Sequence, residues 1–166
     1  MKTTSKIGIL LCAVVCIVNA CKKRTTIIPN IPSLVFVSFT QNVDSAIVKF
    51  NFTDGDGDIG FDAKDTNSPY TKKEGHYYNF FVTYYEKHGG QFKAIPLKPP
   101  LNVRLPRIVT DSKDKIIDGE LYVALPAPYY SPLLNKGDTI KFDYYLEDRA
   151  LNKSQIATSG DIITKY

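Results

Sequence analysis

The sequence predicts an all-β domain, a sandwich of two sheets with about seven strands. Three observations lead there. Helical periodicity is hard to find after residue 33, whereas apolar–polar alternation and short β-branched or aromatic runs recur throughout. Pro- and Gly-bearing connections separate those runs. The 166 residues, 43% hydrophobic and 23% charged, suit one globular domain and exclude wholesale disorder, a collagen-like repeat and a multi-span membrane protein.

The first segment stands apart from the fold. Lys2 and Lys6 precede an uncharged apolar run from Ile7 to Val18, followed by Asn19, Ala20 and Cys21, the three-part pattern of an export signal. As a helix, this twelve-residue run spans about 18 Å, short of the ~20 residues that cross a bilayer, so it reads as a signal and not an anchor. Val18-Asn19-Ala20-Cys21 resembles the bacterial lipobox, in which small residues precede a cysteine that receives diacylglycerol and becomes the new N-terminus. Asn19 departs mildly from the commoner small or hydroxyl residue. The resemblance implies a signal peptide over 1–20, a covalent lipid on Cys21 and a small lipoprotein of the Gram-negative cell envelope, the alternative being an ordinary secretory signal. Cys12 and Cys16 depart with the signal, so the mature chain keeps only Cys21 and forms no internal disulfide.

Residues 21–33 read as the lipidated N-terminus and a tether, with Lys22, Lys23 and Arg24 followed by Pro29 and Pro32. The three cations can lie on anionic headgroups, for about 1 kcal/mol each. Some surface-displayed lipoproteins carry an acidic run at this place, so the basic run favours a periplasm-facing protein, with the outer membrane the expected one. Removing Lys2 and Lys6 leaves 19 basic against 17 acidic residues, a charge of +2. That balance, the scattered cations and the lack of a Gly-rich phosphate loop argue against nucleic acid and nucleotides.

Residues 34–166 form the expected domain. Leu34 to Thr40 is a short apolar strand, and Ser45 to Phe52 alternates with Ala46, Val48, Phe50 and Phe52 on one face. Tyr77 to Lys87 is a long aromatic strand that Gly89-Gly90 turns into a hairpin with Gln91 to Leu97. Glu120 to Leu125 buries Leu121, Val123 and Leu125; Thr139 to Glu147 buries Ile140, Phe142, Tyr144 and Leu146. Gln155 to Thr164 is the last strand, with Gly160 a bulge or weak point. The turn Asp148-Arg149-Ala150-Leu151-Asn152-Lys153-Ser154 resembles the Asp-x-Ala-Gly-Asn-x-Ser turn between the last two strands of many bacterial immunoglobulin-like domains, with Leu151 in place of Gly. The resemblance implies an immunoglobulin-like or fibronectin-type-III-like sandwich.

The most unusual stretch is Asp54-Gly55-Asp56-Gly57-Asp58-Ile59-Gly60-Phe61-Asp62. Asp and Gly are poor strand formers, so the strand should stop at Phe52. Carboxylates at alternate positions repel unless a cation gathers them, and calcium, which takes six to eight oxygens in flexible geometry, fits that role. Acidic residues at positions one, three, five, nine and twelve, counted from Asp54, resemble the EF-hand and related calcium loops, but Ile59 stands where those loops need Gly and the flanks read as strands. Asp54, Asp56, Asp58 and Asp62 are the candidate ligands of a structural calcium ion, and Asp148 is expected near the site; a solvated acidic turn is the alternative. The Asp-Gly-Asp-Gly-Asp-Ile-Gly stretch resembles those of small bacterial lipoproteins of unassigned function.

No nucleophile–base–orienter grammar is present, so no catalytic activity is expected. His76 and His88 flank the aromatic strand and should not share a metal; acid pairs for a glycoside hydrolase can be drawn, for instance Glu74 with Glu86, but the sequence gives no distance between them. Tyr77, Tyr85, Tyr122 and Tyr145 fall opposite core positions and are candidates for a ligand platform. The expected function is a lipid-anchored envelope module that binds an envelope partner or serves a structural role. A carbohydrate-binding accessory lipoprotein using those tyrosines comes second, and an envelope hydrolase third.

Overall fold

A computed structural model describes residues 28–109 and 115–165. The expected signal segment, the lipobox-like residues with Cys21 and the expected tether up to residue 27 lie outside the described residues. The rest is a β-sandwich. Strands β1 (Ser33–Gln41), β2 (Ser45–Asp54), β3 (Phe80–His88), β4 (Gln91–Ala94), β5 (Ile117–Pro126), β6 (Thr139–Leu146), β7 (Ala157–Thr158) and β8 (Ile162–Ile163) follow in chain order, with no helix among the described residues. One antiparallel sheet has the order β1-β2-β5 and the other β4-β3-β6-β7, with β8 also on β6. That is the immunoglobulin-like, fibronectin-type-III-like arrangement.

The alternating residues build the core between the sheets. Val48, Phe50 and Leu125 from the first sheet face Phe80, Ile140, Phe142 and Leu146 from the second, all 0% exposed. β1 breaks simple alternation. Phe36 and Phe39 are three apart, which would put them on opposite faces, yet the register shifts between Phe36 and Ser38, so that Phe36 sits opposite Phe50 and Phe39 opposite Val48. The extra residue, Val37, is pushed outward, and both rings stack inward, Phe36 on Tyr144 at 6.4 Å and Phe39 on Phe142 at 5.3 Å.

Strand limits differ from the sequence expectation at the ends. β2 runs on to Asp54, because its ladder with β5 continues through Thr53↔Asp118 and Asp54↔Ile117, and backbone pairing overrides the poor strand propensity of Asp. β3 begins at Phe80, three residues after Tyr77, since the preceding segment packs elsewhere. β4 ends at Ala94 and β5 starts earlier, at Ile117. The last strand is split into β7 and β8 around Gly160, which takes a left-handed φ of 71°. By this topology one end of the sandwich gathers residues 28–33, 55–79, 105–109, 115–116 and 147–156. The other end gathers the turns 42–44, 89–90 and 127–138.

Candidate metal centre

The acidic loop leaves β2 at the first of these ends. Asp54 is the last residue of the strand and wholly buried, 0% exposed; Asp56 and Asp58 are half-buried beyond it. Three carboxylates converge here, each offering an oxygen within 4.8 Å of the others. Two oxygens around one calcium, each 2.3–2.6 Å from it, lie at most about 5 Å apart, so the cluster has the dimensions of a coordination shell. On each of Asp54, Asp56 and Asp58 the buried Oδ1 has no hydrogen-bond partner. Such atoms are costly to leave unpaired in a folded protein, more so when charged, and a cation is the partner three converging carboxylates suit.

The electrostatics follow from the geometry. Burial, together with the charges of Asp56, Asp58 and Asp148, pushes the Asp54 carboxyl up to about 6, although the Asp58 amide, donating to Asp54 Oδ2 at 2.9 Å, opposes the rise. Asp58 is raised as well, first by burial and then by Asp148 and Asp56. The carboxylates hold one another in a state that a bound cation would relieve.

The glycines fix the loop by close approach as much as by bending. Gly57 (φ 66°) passes so close to the neighbouring chain that a Cβ would lie 1.9 Å from Lys115 O, and at Gly60 (φ 89°) it would lie 2.1 Å from Pro106 O. Ile59, between them, is 0% exposed and belongs to the core. It occupies the position that EF-hand loops give to Gly because this loop is pegged into a sandwich: the Ile59 carbonyl accepts from Ile108 N at 3.1 Å, and Phe61 pairs with Leu105 and Arg107. Asp62 lies outside the carboxylate cluster. Its Oδ2 faces Arg107 Nη1 at 3.3 Å, an ion pair and not a fourth ligand position.

The β6–β7 turn docks on this loop. Arg149 N donates to Asp58 O at 3.2 Å and Ala150 N to Asp58 Oδ2 at 3.1 Å. Asp148 is 0% exposed, with its carboxylate taken by the backbone N (2.7 Å) and side-chain Nδ2 (2.8 Å) of Asn152. It acts on the cluster through its charge. Ser154 Oγ closes the turn by accepting from Leu146 N at 3.0 Å. Leu151 adopts φ 66°, the left-handed conformation its Gly counterpart takes freely, so the turn keeps its geometry with a strained leucine.

Residues that the sequence did not single out complete this end. The Arg104 guanidinium lies over the rings of Phe61 (4.6 Å) and Tyr77 (4.9 Å) and donates to the Tyr77 and Asp65 carbonyls, both at 2.6 Å. Arg149 pairs with Asp65 and holds that carboxyl below its ordinary value. A pocket of about 260 Å³ opens beside the carboxylates, lined by Asp56, Gly57, Asp58, Arg107, Ile108, Val109 and Lys115. Lone cations between prolines and aromatics carry no spacing signal, so only the folded chain shows what they hold.

The other candidates are dispersed. His76 Nδ1 meets the buried Glu147 Oε1 at 2.6 Å, while His88 Nε2 meets Glu86 Oε2 at 2.8 Å, with the length of β3 between the two pairs. Glu74 is held by Ser68 and Thr71 before β3 and Glu86 lies near its far end, so the two acids do not face one substrate. Of the four tyrosines, Tyr85 and Tyr145 share the outer face of the β3–β6 sheet, where Lys141 caps Tyr85 at 4.4 Å and Phe81 stacks on Tyr145 at 4.6 Å. Tyr122 stands on the other sheet beside Lys49 and Glu120, and Tyr77 belongs to the loop under Arg104. They form no single platform. Compared with known proteins, the chain matches no family model, no curated protein and no solved structure.

Proposed function

We propose that the protein is a non-catalytic, lipid-anchored module of the bacterial cell envelope whose β-sandwich is stiffened at one end by a calcium ion held by Asp54, Asp56 and Asp58. One observation carries the calcium reading: three buried carboxylate oxygens converge with no hydrogen-bond partner, one of them on a wholly buried aspartate. Hard oxygen donors without sulfur or imidazole suit calcium or magnesium. Calcium is favoured because a loop bonded to its neighbours on both sides supplies irregular geometry more readily than the strict octahedron magnesium needs.

The role of the ion in this reading is structural. It joins the end of β2 to the loop that carries Ile59 into the core and, through Asp58, to the β6–β7 turn. A domain with no cysteine after Cys21 has reason to brace a long connection this way. The lipid anchor is supported by the lipobox of Val18 to Cys21 and by the charge and length of the segment before it. The test is thermal unfolding in chelator, in millimolar calcium and in magnesium at equal ionic strength. Calcium should raise the midpoint well above the other two, and identical midpoints in all three would leave the loop an acidic turn.

A further inference from the structure

We infer that the calcium-loop end of the sandwich faces the membrane, and that the ion held by Asp54, Asp56 and Asp58 completes its shell with the phosphate of an anionic phospholipid headgroup in the pocket flanked by Arg107 and Lys115. The inference rests on the calcium and lipid-anchor readings above and deepens both.

The orientation follows from chain length. The first described residues, Ile28 and Pro29, lie against the acidic loop: Gly55 N donates to Pro29 O at 3.0 Å, and a Cβ on Gly55 would come within 2.4 Å of Ile28 O. Seven residues lead from Cys21 to Ile28. Fully extended they reach about 25 Å, whereas a ten-residue strand such as β2 alone is about 33 Å long. An acyl chain on Cys21 therefore holds the loop end within about 25 Å of the bilayer, which excludes an upright sandwich standing on the opposite end, where Thr164 bonds to Asp138 and Asn135.

The ligand follows from the chemistry of the pocket. The three converging oxygens are fewer than the six to eight that calcium takes, and the half-buried Asp56 and Asp58 line the 260 Å³ pocket. Among the described residues, the lining beyond them changes sign. Arg107, one of whose guanidinium nitrogens already rests on Asp62, and the exposed Lys115 present positive charge where a phosphate bound to the ion would project its other oxygens. Val109, 78% exposed, lines the same pocket and offers an apolar contact at headgroup depth. A site made of a cation, two basic side chains and an exposed valine, set within reach of a lipid anchor, matches a phosphodiester at a membrane surface better than a soluble anion.

The experiment uses the mature lipidated protein reconstituted in vesicles of neutral phosphatidylcholine or of phosphatidylcholine with phosphatidylglycerol, with calcium affinity measured on each. Binding energies are reciprocal, so a headgroup that binds the ion must tighten calcium by the same factor, about fivefold or more. Anionic vesicles also concentrate calcium at their surface, which an Arg107→Gln, Lys115→Gln double variant controls for, because it keeps all three carboxylates. The expected result is a gain on anionic vesicles about fivefold larger for the wild type than for the variant. Lys115→Gln alone, which leaves the Asp62–Arg107 pair intact, should lose part of that gain and serves if the double variant does not fold. Equal gains in wild type and variants overturn the headgroup site. An equal gain from inorganic phosphate on neutral vesicles overturns the membrane source. Failure of calcium to bind on either vesicle overturns the calcium reading, and the headgroup site with it.

Discussion

Asp54→Asn tests the metal reading directly, because it should stabilise the protein without calcium and diminish the stabilisation that calcium adds. Asn keeps the shape of the side chain, so its carbonyl oxygen can still accept from Asp58 N as Asp54 Oδ2 does at 2.9 Å. Its amide then faces Asp56 and Asp58 as a donor where a third negative charge stood. In chelator above pH 7 the wild type holds Asp54 ionised although the fold raises it from 3.8 to about 6. One unit corresponds to about 1.4 kcal/mol, so the folded state carries a penalty of up to about 3 kcal/mol, and about 1–2 kcal/mol once water around Asp56 and Asp58 screens the repulsion. The sign is that of an acid with a raised folded value: the penalty is full above about pH 6 and disappears as pH falls toward the unfolded value near 4. Removing the charge should therefore raise the chelator midpoint, by about 3–8 °C for a domain of this size. Calcium at a hundredfold excess over Kd should add about 2.7 kcal/mol to the wild type. If losing one charged ligand weakens binding about thirtyfold, the same calcium adds only about 0.9 kcal/mol to the variant. Scanning calorimetry in chelator and in calcium measures both quantities. A variant less stable than wild type in chelator, or one with an undiminished calcium response, would refute the reasoning.

Three other substitutions test separate parts of the argument. Cys21→Ala should abolish the acyl mass and block maturation, leaving the unmodified precursor in intact mass spectrometry, because no other cysteine follows the expected signal. Tyr144→Phe should be neutral or stabilising by about 1 kcal/mol in denaturant unfolding, since the Tyr144 hydroxyl is buried without a partner while its ring packs on Phe36, Phe50, Phe80 and Phe142. Leu151→Gly should stabilise by about 0.5–1 kcal/mol by relieving the left-handed φ of 66°, net of the entropy glycine adds to the unfolded chain; destabilisation beyond 1 kcal/mol would show that the leucine side chain outweighs its strain.

Much of the fold was legible because strands buried on one face leave a period of two. Ile140, Phe142, Tyr144 and Leu146 alternate without interruption, and all four are buried. Legibility failed where something other than burial set the boundary. Asp54 reads as a strand breaker by propensity, but its backbone pairs with Ile117. Tyr77 and Tyr78 read as strand by their rings, but Arg104 draws Tyr77 into the preceding loop. The shift at Val37 has no local sequence mark, because the three-residue spacing of Phe36 and Phe39 becomes a bulge only when both rings find Tyr144 and Phe142 across the sandwich.

For the candidate metal centre the sequence displayed the carboxylates and hid the frame. Alternating aspartates separated by glycines announce convergence of charge, and Asp54, Asp56 and Asp58 do converge. Asp62 continues the same spacing on paper, yet after Ile59 enters the core and Phe61 pairs with Leu105 and Arg107, the chain carries Asp62 to Arg107 and away from the cluster. A ligand count taken from spacing assumes that the loop wraps one centre, whereas here the loop is divided by a buried isoleucine into a carboxylate half and a half bonded to residues 105–108. The division also accounts for the cations beside the site. Because Phe61 and Ile59 fix residues 105–108 against the loop, Arg107 can bind Asp62 with one nitrogen and line the pocket beside Asp56 and Asp58. The isoleucine that departs from the EF-hand spacing is thus what sets the Arg107 side chain beside the carboxylates, an arrangement that a loop wrapping a single ion with its own residues does not have.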